Sequence, residues 1–220
     1  METIECIKTR QSIRKFKQDP VARETIMDLL ETARWSPSYK NSQPWEIVIL
    51  SGKSKEAVTK LMNRLLEAKT APSPDIPAPT SWPKAEQGRI DQLMAKRLAA
   101  TGINLNDPEV IKQSKLANFN FYGAPHGIYL FQDNSLSPWS LLDLGLFAQS
   151  LMLTAHDMGL ATVPQAFATD YAKQVKELLH IAPTKRLVLG LSIGYPDLES
   201  PVNSIKTDRD DLQEITSWLD

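Results

Sequence analysis

The chain has almost no sulfur chemistry to offer. Cys6 is the single cysteine among 220 residues, which excludes an internal disulfide framework and fits a reducing, cytoplasmic setting. Its expected role is that of a small buried hydrophobe, not a reactive thiol. An excess of charge is also missing: 25 Lys and Arg stand against 26 Asp and Glu, for a net charge of −1. No basic field therefore exists to draw nucleic acid or an anionic membrane. No apolar run approaches the ~20 residues that span a bilayer. The opening Met-Glu-Thr-Ile-Glu is acidic and mixed, unlike a secretory leader. The three histidines, His126, His156 and His180, lie far apart, and none forms a metal-ligand pair with Cys6 or another His. Structural roles are expected for all three.

Glycine, at nine residues, never falls into a nucleotide-binding pattern. No Gly-x-Gly-x-x-Gly follows a strand-like run. Gly52-Lys53-Ser54 lacks the earlier glycine of a phosphate loop, because Ile47 stands there. No Gly-x-Ser-x-Gly elbow points to a nucleophilic serine. A nucleotide cofactor would have to be held by side-chain cations.

The apolar pattern predicts an α+β chain in one domain over 1–220, with an excursion at about 70–122. Helices are expected at 2–9 and after Asp19-Pro20, where Ile26, Leu29, Leu30 and Ala33 share a face. Another should begin with Ser54 as its cap, and others at about 85–101 and 108–118. Asp107-Pro108 supplies a cap and a first-turn proline for the last of these. Residues 140–158 form the most apolar helix, one that belongs in a core or an interface. Asp170 should cap a helix bearing Val175, and a final helix should run from Asp208 to Leu219. Three runs read as strands: 46–50, 127–131 and 187–194. Pro72, Pro74, Pro77, Pro79 and Pro83 make 70–84 an exposed loop.

Two N-terminal segments carry the chemistry. Arg10-Gln11-Ser12-Ile13-Arg14 sets two planar cationic forks around a hydroxyl, a good match to phosphate. Ser36-Pro37-Ser38-Tyr39-Lys40-Asn41-Ser42-Gln43-Pro44-Trp45 is a proline-bounded turn dense in short polar groups. At the other end, Lys206 and Arg209 follow Pro201-Val202-Asn203. Taken singly, all of these charges are ordinary solvated surface. Together with Gly159-Leu160-Ala161-Thr162-Val163-Pro164-Gln165-Ala166, the order of segments resembles the FMN-dependent nitroreductase family, and most resembles its nitrobenzoate-reductase branch.

The resemblance implies a mostly antiparallel sheet wrapped by helices in an intertwined homodimer. It implies bound FMN, with Arg10, Gln11, Ser12, Arg14, Lys206 and Arg209 around the phosphate and ribityl. Pro37, Ser38, Tyr39, Asn41 and Gln43 would reach the flavin from the partner subunit. Pro164, Gln165 and Ala166 would cover one ring face and offer a backbone N–H to N5, and Asn118 would meet the pyrimidine edge. Gln165 alone, without the motif, reads as a solvent-facing loop residue. NAD(P)H would give hydride to the flavin, and a small acceptor such as a nitroaromatic or a quinone would then occupy the same place, with no side-chain acid or base required. The excursion would be a lid or an arm around the partner. A deiodinase-like activity is the alternative within flavoenzymes, although no tyrosine lies between Lys40 and Phe121. A flavin-binding protein without turnover is the alternative outside enzymes.

Overall fold

The computed structural model describes residues 1–104 and 106–219. Four strands form one sheet: β1 (Glu46–Ser51), β2 (His126–Asp133), β3 (Ala161–Gln165) and β4 (Lys185–Gly194). Their spatial order is β1-β2-β4-β3, and every pairing is antiparallel. Side chains alternate across a strand. Ile128 and Leu130 of β2 therefore enter one core, and Tyr129 and Phe131 enter another on the opposite face.

Helices cover both faces. The first core is closed by α2 (Arg23–Ala33) and α6 (Trp139–Asp157), through Ile26, Leu29, Leu144, Phe147 and Leu151. The second is closed by α3 (Gly52–Glu67), α5 (Pro108–Phe119) and α7 (Ala172–Leu178), through Val58, Met62, Phe119 and Val175. The N-terminal α1 (Thr3–Thr9) buries only Cys6, whose thiol reaches the Leu153 carbonyl at 3.4 Å. Asp107 caps α5 by accepting from the Glu109 N–H at 2.8 Å, as its Asp-Pro start requires.

Four expectations need correction. β3 is a strand, although Pro164 sits inside it. Proline is tolerated there because β3 is an edge strand. Ser54 is the third residue of α3, not its cap. The Ser51 N–H donates to the Ser54 hydroxyl at 3.1 Å, so Ser51 occupies the cap position. Asp170 does not cap α7; it accepts from Lys115 at 3.3 Å and ties that helix's approach to α5. Burial raises the Asp170 carboxyl above its usual range, and Lys115 opposes the rise. The tail is helical only over α8 (Leu212–Ile215). Its apolar residues, Leu212, Ile215 and Trp218, stand exposed, and so short a helix has no packed face to hold more turns.

The proline-rich segment is irregular, as expected, but anchored. One Asp75 carboxylate oxygen accepts from Lys176 at 2.8 Å and from the Leu187 N–H at 2.7 Å. Beyond it, α4 (Lys84–Thr101) has no buried residue and is tied to the tail by polar pairs, Lys96 to Asp208 at 2.8 Å and Arg89 to Asp210.

Candidate cofactor and acceptor site

After α1 the chain runs beside the edge strand. Ser12 pairs with Thr162 in a parallel bridge, and the Ile13 N–H donates to the Thr162 carbonyl at 3.1 Å. The four residue steps from Arg10 to Arg14 can span at most ~13 Å. Asn203, only 4% exposed, fixes this run to the C-terminal segment. Its Oδ1 accepts from the Arg14 N–H at 2.7 Å, and its Nδ2 donates to the carbonyls of Lys15 and Asp197 at 2.9 and 2.8 Å. Gln11 Nε2 donates to the Asn203 carbonyl at 3.1 Å. The sequence reading passed over Asn203 as a working residue. The first-turn Pro201 marks the turn that presents it, but nothing local tells where its amide points. Asn203→Ala should destabilise the fold by ~1–3 kcal/mol, because it strands a buried N–H and two carbonyls. Thermal unfolding of the purified variant measures this.

The two chain ends meet. Arg10, Gln11, Lys206 and Arg209, with Gln149 of α6, line a cleft of about 460 Å³. A second cleft of about 290 Å³ shares Thr9, Arg10 and Gln11 and continues past Leu160 to Thr162. At the rim three buried atoms have no hydrogen-bond partner among the described residues: a terminal guanidinium nitrogen of Arg10, Gln11 Oε1 and Thr162 Oγ1. Burial, and then the like charge of Arg209, push the Arg10 guanidinium below its usual range. A buried donor without a partner costs ~1–3 kcal/mol. An anion with several acceptor oxygens would answer Arg10, Lys206 and Arg209 together. The expected cation set is thus only partly convergent. Arg14 does not line either of these clefts. Its guanidinium donates to the Ser12 carbonyl at 3.3 Å, and its charge is felt by Arg97 of α4.

The Pro37–Trp45 turn is held in an unusual backbone. Lys40, Asn41 and Gln43 have φ of 52°, 57° and 47°, a left-handed region that side chains other than glycine seldom adopt. Ser38 Oγ accepts from the Gln43 N–H at 3.0 Å, and the Tyr39 N–H donates to Asp143 at 3.1 Å. The Tyr39 ring stacks on Trp139 with centroids 6.3 Å apart. The turn therefore rests on the start of α6. Gln149 lies six residues further along that helix, a rise of ~9 Å, and no residue of 37–45 lines the cation cleft of its own chain.

Gln165 is not solvent-facing. It is 1% exposed, its Oε1 accepts from Ser192 at 2.6 Å, and its Nε2 donates to the Asn118 carbonyl at 2.9 Å. The Asn118 amide donates to the Ser114 carbonyl and to the Tyr122 hydroxyl, both at 2.8 Å. Its donors therefore have partners within the fold. The surface available from this network is the backbone of 164–166, where Pro164 and Ala166 are exposed. Gly190 permits that presentation. A Cβ there would stand 2.6 Å from the Ala168 Cβ, so only glycine lets the 167–169 turn lie on β4. Phe167 then projects into a third cleft, of about 550 Å³, between α4 and α5.

Among the described residues no grouping of His, Cys, Asp and Glu could hold a metal ion. No helix among them is long and apolar enough to cross a membrane. His126 is structural, with Nε2 3.0 Å from the Val21 carbonyl, and burial lowers its pKa.

An antiparallel four-stranded sheet with helices on both faces, and a basic segment running beside its edge strand, defines an α+β protein. The chain belongs to the nitroreductase family, whose profile matches residues 7–195. It is 33% identical over 215 residues to a 4-nitrobenzoate reductase of Pseudomonas putida, covering 97% of this chain and 93% of that protein. Among solved structures, the FMN-dependent nitroreductase NfnB from Mycobacterium smegmatis, in complex with NADPH, superposes with a TM-score of 0.92. It has 29% identity, over 99% of this chain and 97% of that one. The FMN- and NADPH-dependent nitroreductase NfnB from sphigopyxis sp. strain HMH gives a TM-score of 0.93 at 27% identity, with both chains fully covered.

Proposed function

We propose that this protein is an FMN-dependent oxidoreductase that takes hydride from NAD(P)H and reduces nitroaromatics, quinones or similar acceptors in turn. The observation that carries this is the set of unanswered polar atoms where the cation cleft adjoins the second cleft, which share Arg10 and Gln11. Arg10, Lys206 and Arg209 would hold the phosphate, and Gln11 and Thr162, with an acceptor and a hydroxyl, suit ribityl hydroxyls. The run from Arg10 to Arg14, ~13 Å at most, suits a ligand with a phosphate at one end and a flat ring at the other. Arg14 at the ring end would favour negative charge there, and the exposed backbone of 164–166 would cover one face. When bound, FMN supplies two-electron transfer between donor and acceptor. The chain binds, orients and sets the field, and needs no acid–base pair of its own.

The active unit in this reading is a cytoplasmic homodimer, and residues 1–220 form one domain whose 70–122 excursion borders the acceptor. One face of α6 is buried, as expected for an apolar helix. The opposite face leaves Trp139, Leu142 and Leu146 exposed, a hydrophobic stripe that calls for a partner. Gly145 in the middle of that stripe has open space where a side chain would stand, so a second helix can approach closely. With a twofold axis perpendicular to α6 the two copies run antiparallel, and the start of one meets the end of the other. The Pro37–Trp45 turn of one subunit then comes to the cation cleft of its partner, and Tyr39, Asn41 and Gln43 complete the site.

Released cofactor identifies the ligand class directly. Mass spectrometry of the denatured protein should find FMN near one per chain. Stoichiometric FAD would overturn the assignment, since the cation cleft offers charge for one terminal phosphate and the chain has no pyrophosphate loop.

A further inference from the structure

The Pro37–Trp45 turn needs support from outside itself. Residues 39–43 are exposed, so no core holds them, yet Lys40, Asn41 and Gln43 keep positive φ. Backbone of that kind persists only where its surroundings over-determine it. Most of the turn's hydrogen bonds are internal. The Asn41 N–H donates to the Ser38 carbonyl at 3.0 Å, the Ser42 N–H to the Tyr39 carbonyl at 3.1 Å, and the Gln43 N–H to Ser38 Oγ at 3.0 Å. The outside support comes from α6. Trp139 stacks on Tyr39, Asp143 accepts from the Tyr39 N–H at 3.1 Å, and Phe147 stacks on Trp45 with centroids 5.0 Å apart. These three stand four residues apart, so they form one row on one face of the helix. Asp143 is the polar member. It is 6% exposed, and among the described residues the Tyr39 N–H is its one donor and no cation pairs with it. A buried carboxylate without a cation weakens a core, so packing gives no reason for it. Holding one backbone N–H by a charge-assisted bond does.

We propose that Asp143 is a positioning residue for the flavin site, the polar centre of a clamp by which α6 holds the turn for use by the partner subunit. Its action in trans rests on the dimeric reading given above. The row one position earlier, Leu142 and Leu146, is exposed and belongs to the stripe that calls for a partner. One rigid helix thus carries the turn on one row and the dimer contact on the next. The turn is thereby fixed relative to the interface, and so relative to the partner's cation cleft. Without the Asp143 acceptor the Tyr39 N–H loses its tie to α6, and the left-handed residues that follow can relax. The rival is action in cis. Gln149, six residues further along α6, lines the cation cleft of its own chain, so a disturbed α6 would damage that cleft instead.

Two variants separate the acceptor from the packing. Asp143→Asn keeps an oxygen for the Tyr39 N–H, and Asp143→Ala removes it. Equilibrium dialysis should find FMN affinity near wild type in Asp143→Asn. In Asp143→Ala it should fall roughly tenfold to a hundredfold, the range for a hydrogen bond to a charged group. The Tyr39 amide should exchange its hydrogen about tenfold or more slowly in wild type than in Asp143→Ala. Complementation then assigns the subunit. Refolded with an Arg10→Ala/Lys206→Ala chain, Asp143→Ala should regain FMN in about half of the heterodimer sites. Refolded with a Ser38→Ala/Asn41→Ala chain, it should regain none. The reverse pattern would place Asp143 in the service of its own cleft and overturn the proposal. Equal FMN affinity in Asp143→Ala and wild type, or equal loss in the Asn and Ala variants, would overturn it too. So would an unprotected Tyr39 amide in wild type, a result that requires no variant to fold. If the Arg10→Ala/Lys206→Ala and Ser38→Ala/Asn41→Ala chains fail to complement each other, the dimeric reading and the action in trans fall together, while dialysis and exchange still judge the clamp.

Discussion

Arg10→Ala is expected to release FMN, with affinity falling roughly tenfold to a hundredfold, the range for one charge-assisted phosphate contact. The cation is half-buried, one of its nitrogens has no partner among the described residues, and Arg209 opposes its charge. Those conditions are unfavourable in the free protein and favourable around a phosphate. The variant should therefore hold its fold while losing its ligand. Removing a half-buried cation that Arg209 repels relieves the free state, so unfolding of the apoprotein should move little. Thr3→Ala, in the exposed first turn of α1, is the control and should retain FMN. Equilibrium dialysis against FMN decides the matter; equal retention by both variants would mean that the phosphate lies elsewhere.

Restoration of activity by mixing two inactive chains is the second large effect. One chain carries Arg10→Ala and Lys206→Ala, which empty the cation cleft. The other carries Ser38→Ala and Asn41→Ala, which remove the Ser38 acceptor that ties the turn and the amide at one of its left-handed positions. Each homodimer should load FMN poorly. A heterodimer has one site with the intact cleft of one chain and the intact turn of the other, and a second site with all four lesions. Verified heterodimers should thus regain FMN and turnover in about half of their sites, as the twofold arrangement dictates. No recovery would mean that the site is built within one chain.

Much of the architecture could be read from the chain because local signals agreed with the global fold. Glu46–Ser51 has the β-branched run of a strand and became β1, and Asp107-Pro108 set the start of α5 to the residue. Where they disagreed, the reading failed for a physical reason. Pro164 hid β3, because a proline inside a strand is acceptable only at an edge, and edges are a property of the sheet. Residues 208–219 read as a final helix, yet local sequence cannot supply the surface against which an apolar face would pack, and only Leu212–Ile215 is helical. Of the candidate site, the residue types were legible and their grouping only in part. Arg10, Lys206 and Arg209 converge as the motif order suggests. Arg14 separates from them: it lines neither cleft, and its guanidinium turns to the Ser12 carbonyl. The buried side chains of Asn118 and Gln165 are tied into the fold, Gln165 to Ser192 and the Asn118 carbonyl and Asn118 to Tyr122, and no sequence pattern shows those partners. Asn203 and Asp143 had no local signature. Their significance comes from what long-range folding sets beside them.

The most direct measurement follows the bound flavin through one complete cycle. FMN-loaded protein is mixed anaerobically with a single equivalent of NADPH, or of NADH in a parallel run, and the visible flavin absorbance is followed. With at least one donor it should bleach within the mixing series. Addition of 4-nitrobenzoate without further donor should then restore the oxidised spectrum, in proportion to the acceptor added. A flavin that stays oxidised with both donors, or that bleaches but remains reduced when nitroaromatic and quinone acceptors are supplied, would contradict an oxidoreductase of this kind and leave a flavin-binding protein without turnover.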